Sequence, residues 1–579
     1  MNKQENNPEI IRHSLSHIMA AAVKELWPNV KFAIGPAIEN GFYYDFDFNK
    51  EKISEDDLTK VEKKMKHIIK QNVKFEKSEM PIAEAIKKEK KNGQNYKEEL
   101  IKDLKKEKET KVSYYQMGDF EDLCRGPHVE SSGKIKVDAF KLTKIAGAYW
   151  RGDEKNEMLT RIYGVGFASK KELDEYLEMK KEAERRDHRK IGKELGLFSM
   201  HEEGPGFPFF HPKGMTVWNE MIKYWKEEHE KDGYQEIKTP LILNKALWEQ
   251  SGHWDHYKDN MYFTEIDKVD YAIKPMNCPG GILIYKSSPH SYREFPMKMA
   301  EIGLVHRHEL SGVLNGLLRV RMFHQDDAHI YCLEDQIKEE VIKVIKLIDR
   351  MYKVYGLGYD MELSTKPDNS MGSEEMWQTA EKALQSALEE IGGKYKINPG
   401  DGAFYGPKID FHIKDAIGRT WQCGTIQLDF TMPERFKLSY TAQDGKEKQP
   451  VMIHRTVYGA LERFMGVLIE HFAGAFPIWL SPVQVKIIAV SEKHNKHCQE
   501  LAEEFKKEDI RIEVDSSDET VGNKIRKAIA EKTPYMLVIG DKEASSDKLQ
   551  IRDRGSEKIR EISKDKFFNE IKDKIEKKN

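Results

Sequence analysis

The segment from Leu304 to Tyr331 gathers cations, carboxylates, imidazoles, amides and aromatic rings in a short stretch. It reads as strand, Gly/Asn-bearing loop, strand. Alternation along the second strand puts Arg319, Arg321, Phe323, Gln325, Asp327 and His329 on one side. Arg307 and Glu309 add a polar row from the preceding strand, and Phe323 offers a ring on which a planar base can stack. A hairpin with one solvated face would alternate in the same way. The mixture found here, with cations, an aromatic ring, an amide, a carboxylate and an imidazole, is instead functional in kind.

A second set lies near the N-terminus. His13-Ser-Leu-Ser-His17 places two imidazoles one helical turn apart, and Asp122-Leu-Cys124-Arg-Gly-Pro-His128 adds a carboxylate, a thiol and an imidazole. Three readings fit: a hydrolytic pocket, a metal site, or a structural cluster in a small domain. Residue types alone favour metal, although the metalloprotease pattern His-Glu-x-x-His is absent.

The elements that must position these groups imply several domains, because 579 residues exceed what one hydrophobic core serves. The chain divides into an α+β unit (1–168) with a Lys/Glu-rich insertion of exposed helices at 51–111, and a polar linker helix (169–196). A large antiparallel-sheet domain (197–482) follows, then a small α/β domain with a largely parallel sheet (483–579). A multidomain α+β protein is the expected fold class. Met1 to Pro8 lack the features of a secretory leader and no apolar run is long enough to span a bilayer, so a cytoplasmic location is expected. Five cysteines, sparse and odd in number, suit reduced thiols or metal ligands. A formal net charge of -3 gives no global basic field, so a nucleic-acid partner would be held by local patches. Gly400-Asp-Gly-Ala-Phe-Tyr-Gly-Pro-Lys408 lacks the ending of a P-loop.

The segment around Arg307 resembles the second signature motif of class II aminoacyl-tRNA synthetases, specifically the threonyl family. His454-Arg-Thr-Val-Tyr-Gly-Ala-Leu-Glu-Arg463 resembles the third motif, and Gly214 to Pro240 the first, which usually builds a homodimer interface. The resemblance covers essentially the whole chain. It implies ATP-dependent joining of threonine to tRNA(Thr), with Arg307 and Arg463 catalytic at the phosphates. Glu309, Arg319, Phe323 and Gln422 would complete the ATP site. Met276, Gln325, Asp327, Tyr405, Lys408 and Gln422 would contact the amino acid, Asp327 taking its ammonium. Gly459, four residues before Arg463, is expected one turn away on the same helix face, where its missing side chain admits the nucleotide.

The family match, and not spacing, makes Cys278, His329 and His454 the ligands of one zinc ion, with Mg²⁺ accompanying ATP. Zinc with an open position accepts the amino group and hydroxyl of threonine, which valine cannot supply. Serine differs by one methyl, worth about 1 to 3 kcal/mol, so proofreading is expected. The resemblance therefore favours His13, His17, Asp122, Cys124 and His128 as an editing site for mischarged seryl-tRNA(Thr), leaving open whether it holds metal. Residues 483–579 resemble the anticodon-binding domain. Longer family members carry a ubiquitin-like domain before the editing domain, for which the chain leaves no room ahead of His13. A sister specificity such as serine or proline would use the same ATP scaffold, but Cys278, Asp327, His329 and His454 argue against it. A non-catalytic RNA-binding relative would not need Arg307 and Arg463.

Overall fold

The fold is described from a computed structural model, for residues 7–49 and 51–578. The leader reading of Met1 to Pro8 falls mostly outside these residues. Backbone contacts separate two compact units, 1–181 and 182–579.

In the first unit the helix Pro8–Leu26 starts behind an Asn7 cap and buries a stripe from Ile11 to Val23. It lies against an antiparallel sheet whose longest strands are Gly41–Asp47, Met158–Gly166 and Phe140–Tyr149. The Lys/Glu-rich insertion forms the helices Glu55–Lys70, Ile82–Lys91 and Asn95–Lys106. They are amphipathic rather than simply exposed: Leu58, Val61, Met65, Ile68 and Ile69 of the first are buried. Strands Lys111–Met117 and Phe120–Leu123 form a hairpin that carries Asp122 and delivers Cys124.

The expected single linker helix is two. Lys170–Arg185 ends, and His188–Glu194 restarts behind Asp187, whose side chain accepts the Arg189 N–H. The second piece is not a polar spacer, because His188 and Ile191 are buried in the second unit.

The second unit is built on an eight-stranded sheet. Its order is Gln235–Glu236, Met297–His306, Met322–Cys332, Val451–Ala460, Thr420–Asp429, Lys408–Lys414, Gly358–Ser364, Tyr395–Asn398. The six inner strands are antiparallel, as expected, and the two edge strands pair in parallel. Helices Pro212–Lys231, Ile337–Val354 and Leu461–His471 contribute to the main apolar core. The small C-terminal domain has a mixed sheet, not a largely parallel one. Val485–Ala489 pairs in parallel with Ile512–Asp515 and Tyr535–Ile539, but the hairpin Lys548–Asp553 and Ile559–Ser563 adds two antiparallel strands. Lys548–Asp553 alternates polar and apolar residues, with Leu549 and Ile551 buried, but Ile559–Ser563 does not, so the pairing of the two shows only in the register. Among the described residues no helix is long and apolar enough to cross a membrane.

Candidate functional site

Three neighbouring strands line up residues that are far apart in the chain. Asp327, Thr456 and Thr425 stand in one row across Met322–Cys332, Val451–Ala460 and Thr420–Asp429; His329, His454 and Gln427 form the next row. The two-residue period puts both rows on one face. Cys278 reaches them from the first residue of helix Cys278–Tyr285. Gly281 of that helix packs so closely that a β-carbon there would sit 3.3 Å from His329 Nδ1.

The thiol of Cys278 and the imidazoles of His329 and His454 are buried, with ligand atoms within 4.8 Å of one another. His329 Nε2 is buried without a hydrogen-bond partner, a costly state for a polar atom. His454 Nε2 bonds Asp429 Oδ2 at 2.8 Å, an arrangement that orients a ligating imidazole. Burial, with Asp327 and Asp429 nearby, pushes the Cys278 thiol well up, and burial pushes His329 well down, toward its neutral form. A thiol that gives up its proton to a metal and two imidazoles are a donor set that zinc takes, and His329 Nε2, with no hydrogen bond and Asp327 Oδ1 3.7 Å away, suits a cation.

This set adjoins a cleft of about 400 Å³. Met276, Cys278, Arg307, Glu309, Arg319, Phe323, Gln325, Asp327, Tyr405, Gln422, His454 and Arg463 all line it. Asp327 is held by Asn277 Nδ2 at 3.2 Å. The Arg307 guanidinium lies 5.1 Å from the Phe323 ring centre, and its Nε donates to the Pro275 carbonyl at 3.2 Å. Arg463 donates from Nε to the Leu318 carbonyl at 3.0 Å and from Nη1 to that of Gln422 at 3.2 Å. Arg319 pairs with Glu309 at 3.6 Å.

Three expectations need correction. Strand Met322–Cys332 begins after Arg321, which turns away to donate to the carbonyls of Glu309 (2.8 Å) and Pro205 (3.2 Å). It clamps the loop and does not share the cleft face. Lys408 does not line the cleft: it pairs with Asp410 at 2.9 Å and Asp401 at 3.0 Å, and Asp410 in turn accepts from Gln422 at 2.7 Å. Gly459 is not helical. It lies within strand Val451–Ala460, one residue before its end, at φ +71°, where a β-carbon would lie 2.5 Å from the Cys423 carbonyl. Its missing side chain admits the Cys423 backbone of the neighbouring strand, and Gly459 also lines the cleft.

Sequence reasoning missed Thr425, Gln427 and Thr456 on the cleft wall and Asp429 behind His454. Gln427 accepts the Tyr405 hydroxyl proton. Only strand register places them there, and nothing local in the chain announces it.

In the first unit, His13, His17, Asp122 and Cys124 line a cleft of about 950 Å³. Cys124 Sγ lies 3.2 Å from His13 Nε2 and 3.2 Å from His128 Nε2, with His128 itself off the lining. Ser14 Oγ bonds His128 Nδ1 at 3.2 Å. His17 packs edge-on to Phe75, Phe120 and His128, and its Nε2 is buried without a partner. Burial pushes His13 down and His17 to about 4, and raises the Cys124 thiol to about 11, so all three are neutral near pH 7. Asp122 is tied to Lys97 at 2.7 Å and to the Tyr44 hydroxyl. The cluster can hold and deprotonate a water; His13, Cys124 and His128 also lie close enough to share a cation.

Known proteins match all three regions. Residues 112–163 match the threonyl and alanyl tRNA synthetase second additional domain, 262–472 the class II tRNA synthetase core domain (G, H, P, S and T), and 484–574 the anticodon binding domain. A threonine–tRNA ligase of Clostridium botulinum (strain Kyoto / Type A2) is 59% identical over 98% of this chain and 89% of its own length. That of Carboxydothermus hydrogenoformans is 58% identical over 96% and 86%. The solved RNA binding domain of threonyl-tRNA synthetase from Cryptosporidium parvum Iowa II is 40% identical, covering 67% of this chain and 98% of that one with a TM-score of 0.63. With three domain families in order and such identity along nearly its whole length, the chain belongs to the threonine–tRNA ligase family.

Proposed function

We propose that the chain attaches L-threonine to tRNA(Thr) at the sheet cleft and hydrolyses mischarged seryl-tRNA(Thr) at the N-terminal cleft. A threonine carboxylate oxygen attacks the α-phosphorus of ATP, the bond to the bridging oxygen breaks and pyrophosphate leaves. Arg307 and Arg463, already fixed by backbone carbonyls, meet the charge that develops without reorganising. Phe323 stacks on the adenine, with Glu309, Arg319 and Gln422 around the nucleotide; Mg²⁺ arrives as part of the ATP substrate. The terminal ribose hydroxyl of the tRNA then takes the threonyl group, and AMP leaves.

Asp327 accepts a hydrogen bond from the substrate amino group, held there as the free amine, while Met276, Gln325 and Tyr405 close round the side chain. Lys408 acts through Asp410 on Gln422. Zinc held by Cys278, His329 and His454 would supply an open Lewis-acid position that threonine fills through its amino group and hydroxyl and valine cannot. At the N-terminal cleft a neutral imidazole of His13 or His17 accepts a proton from water as it attacks the seryl ester; the acyl–oxygen bond breaks, the ribose oxygen leaves with that proton and serine is released, with Asp122, Cys124 and His128 fixing the group.

In this reading residues 1–168 edit, 169–196 connect, 197–482 catalyse and 483–579 meet the anticodon arm. Gly214 to Pro240 provide a homodimer interface, and the enzyme works in the cytoplasm. What carries the reading is one cleft lined by two phosphate-seeking arginines and by the Cys278/His454 edge of a buried metal-binding set. Charging assays on tRNA(Thr) test it: threonine should be attached with ATP, and preformed seryl-tRNA(Thr) should be cleared much faster than threonyl-tRNA(Thr). Active protein that charges another amino acid, or leaves the seryl ester intact, would contradict it.

A further inference from the structure

A buried histidine outside both clefts grips the loop that carries Arg319. His188 opens helix His188–Glu194 and is 1% exposed. Its Nδ1 lies 2.6 Å from Glu470 Oε1, which also accepts the His188 backbone N–H at 3.1 Å. On its other side, His188 Nε2 accepts the Leu317 N–H at 3.0 Å. A carboxylate at one ring nitrogen and a donor at the other select the neutral tautomer with its proton on Nδ1. Glu470, near the end of helix Leu461–His471, is held in turn by Arg419 through its other oxygen, and Arg186 donates to the His471 carbonyl at 2.8 Å.

The loop is shaped to this ring. Gly316 has φ +48°, and a β-carbon there would lie 2.2 Å from His188 Nε2. Leu317, Leu318 and Arg319 follow directly and line the cleft, and the Leu318 carbonyl is the acceptor that fixes Arg463 Nε. One imidazole therefore stands a single residue away from the contact joining the loop to Arg463, and its Glu470 partner sits on the helix that carries Arg463.

We propose that His188, oriented by Glu470, is a positioning residue for ATP activation: it holds the Leu317 N–H so that Leu318 and Arg319 present the nucleotide side of the cleft in register with Arg463. The threonine side does not depend on it, because Asp327, His329 and His454 are set by strand register and Cys278 by a separate helix. A core histidine that merely fills space would weaken the fold as a whole and favour neither substrate. The assignment rests on Arg319 and Arg463 being the nucleotide arginines.

Pyrophosphate exchange on the full chain, titrated separately with ATP and with threonine, tests this. His188→Leu keeps bulk without an acceptor, His188→Gln keeps an acceptor near the Nε2 position, and Gly316→Ala pushes the loop off the ring. His188→Leu and Gly316→Ala should each raise KM for ATP at least tenfold while KM for threonine and zinc content stay within twofold, and His188→Gln should restore most of the loss. Parental KM for ATP in soluble His188→Leu or Gly316→Ala, or equal rises in both KM values, would overturn the proposal. If His188→Leu is insoluble, Gly316→Ala and His188→Gln decide on the same criteria. Arg463→Ala, run alongside, separates the two levels: a parental ATP response there would sink the site assignment itself, whereas an impaired Arg463→Ala beside parental His188 and Gly316 variants would sink the positioning role alone.

Discussion

Asp326→Asn probes the joint where the catalytic strands meet the helix behind them. Asp326 is fully buried and accepts four N–H groups: from Trp225 Nε1 (3.1 Å), Val457 (2.9 Å) and Tyr458 (3.0 Å) on Oδ2, and from Gly459 (2.8 Å) on Oδ1. Burial pushes the carboxyl up to about 7, but all four of these partners are donors and none can accept the proton of an acid. The surroundings are built for a carboxylate. In the asparagine variant the better amide orientation keeps its oxygen toward Trp225, Val457 and Tyr458 and turns its NH₂ against the Gly459 N–H. The lost bond strands a buried donor at about 1 to 3 kcal/mol, and the three others lose charge assistance at roughly 1 kcal/mol each. The variant should be about 4 kcal/mol less stable, roughly a thousandfold in the folding equilibrium. Urea unfolding followed by tryptophan emission should show a midpoint lower by about 0.5 to 1 M, since m is large for a unit of this size. An unchanged midpoint would mean that the native carboxyl is protonated and interchangeable with the amide, which refutes the reasoning.

Gly459→Ala forces a side chain into a left-handed backbone and onto the Cys423 carbonyl, adding about 1 to 2 kcal/mol of backbone strain before the clash. Thermal unfolding should fall, and KM for ATP should rise more than KM for threonine because Arg463 follows four residues on. His13→Ala should slow deacylation of seryl-tRNA(Thr) by about 10² or more and leave pyrophosphate exchange near parental; equal loss in both assays would contradict separate sites. His229, stacked on Trp225, is pushed down to about 2 by burial and then by Arg455, so it stays neutral when folded but protonates near 6.5 when unfolded. Its contribution to stability is complete above pH 6.5 and is lost as pH falls toward 2, about 2 kcal/mol being gone by pH 5. Urea midpoints at pH 8 and pH 5 should differ by less in His229→Gln than in the parent, and an identical difference would contradict the assignment.

Two parts of the site are local enough to read from residue order, whereas Cys278, His329 and His454 follow only from the family resemblance, because three separate elements bring them together. The strand, loop and strand around Arg307 follow from alternation and Gly/Asn punctuation, and two histidines four apart need only one helical turn. What was hidden depends on register and on backbone that breaks its local pattern. Asp429 meets His454, and Gln427 meets Tyr405, because two distant strands pair at one particular offset. Arg321 fits the alternating pattern of the strand but precedes its first residue, so its side chain serves the loop. Gly459 has helical spacing from Arg463, yet it lies within a strand at positive φ. His188 sits in a charged stretch whose composition suggests an exposed helix, and only the folded chain brings Glu470 to it. In the C-terminal hairpin Lys548–Asp553 alternates clearly but its partner Ile559–Ser563 does not, so the antiparallel pairing is set by register and not by a matched pattern.

The central claim is that a metal-bearing cleft selects threonine for activation by ATP. Amino-acid-dependent exchange of pyrophosphate into ATP tests it most directly, comparing threonine, serine, valine and proline in zinc-loaded parent and in Cys278→Ser, with metal content measured on both. Strong exchange with threonine, weaker with serine and negligible with valine, together with about one zinc per parent chain and loss of both zinc and exchange in Cys278→Ser, is the predicted result. Threonine exchange by active enzyme that contains no zinc, or valine activated as well as threonine, would contradict it.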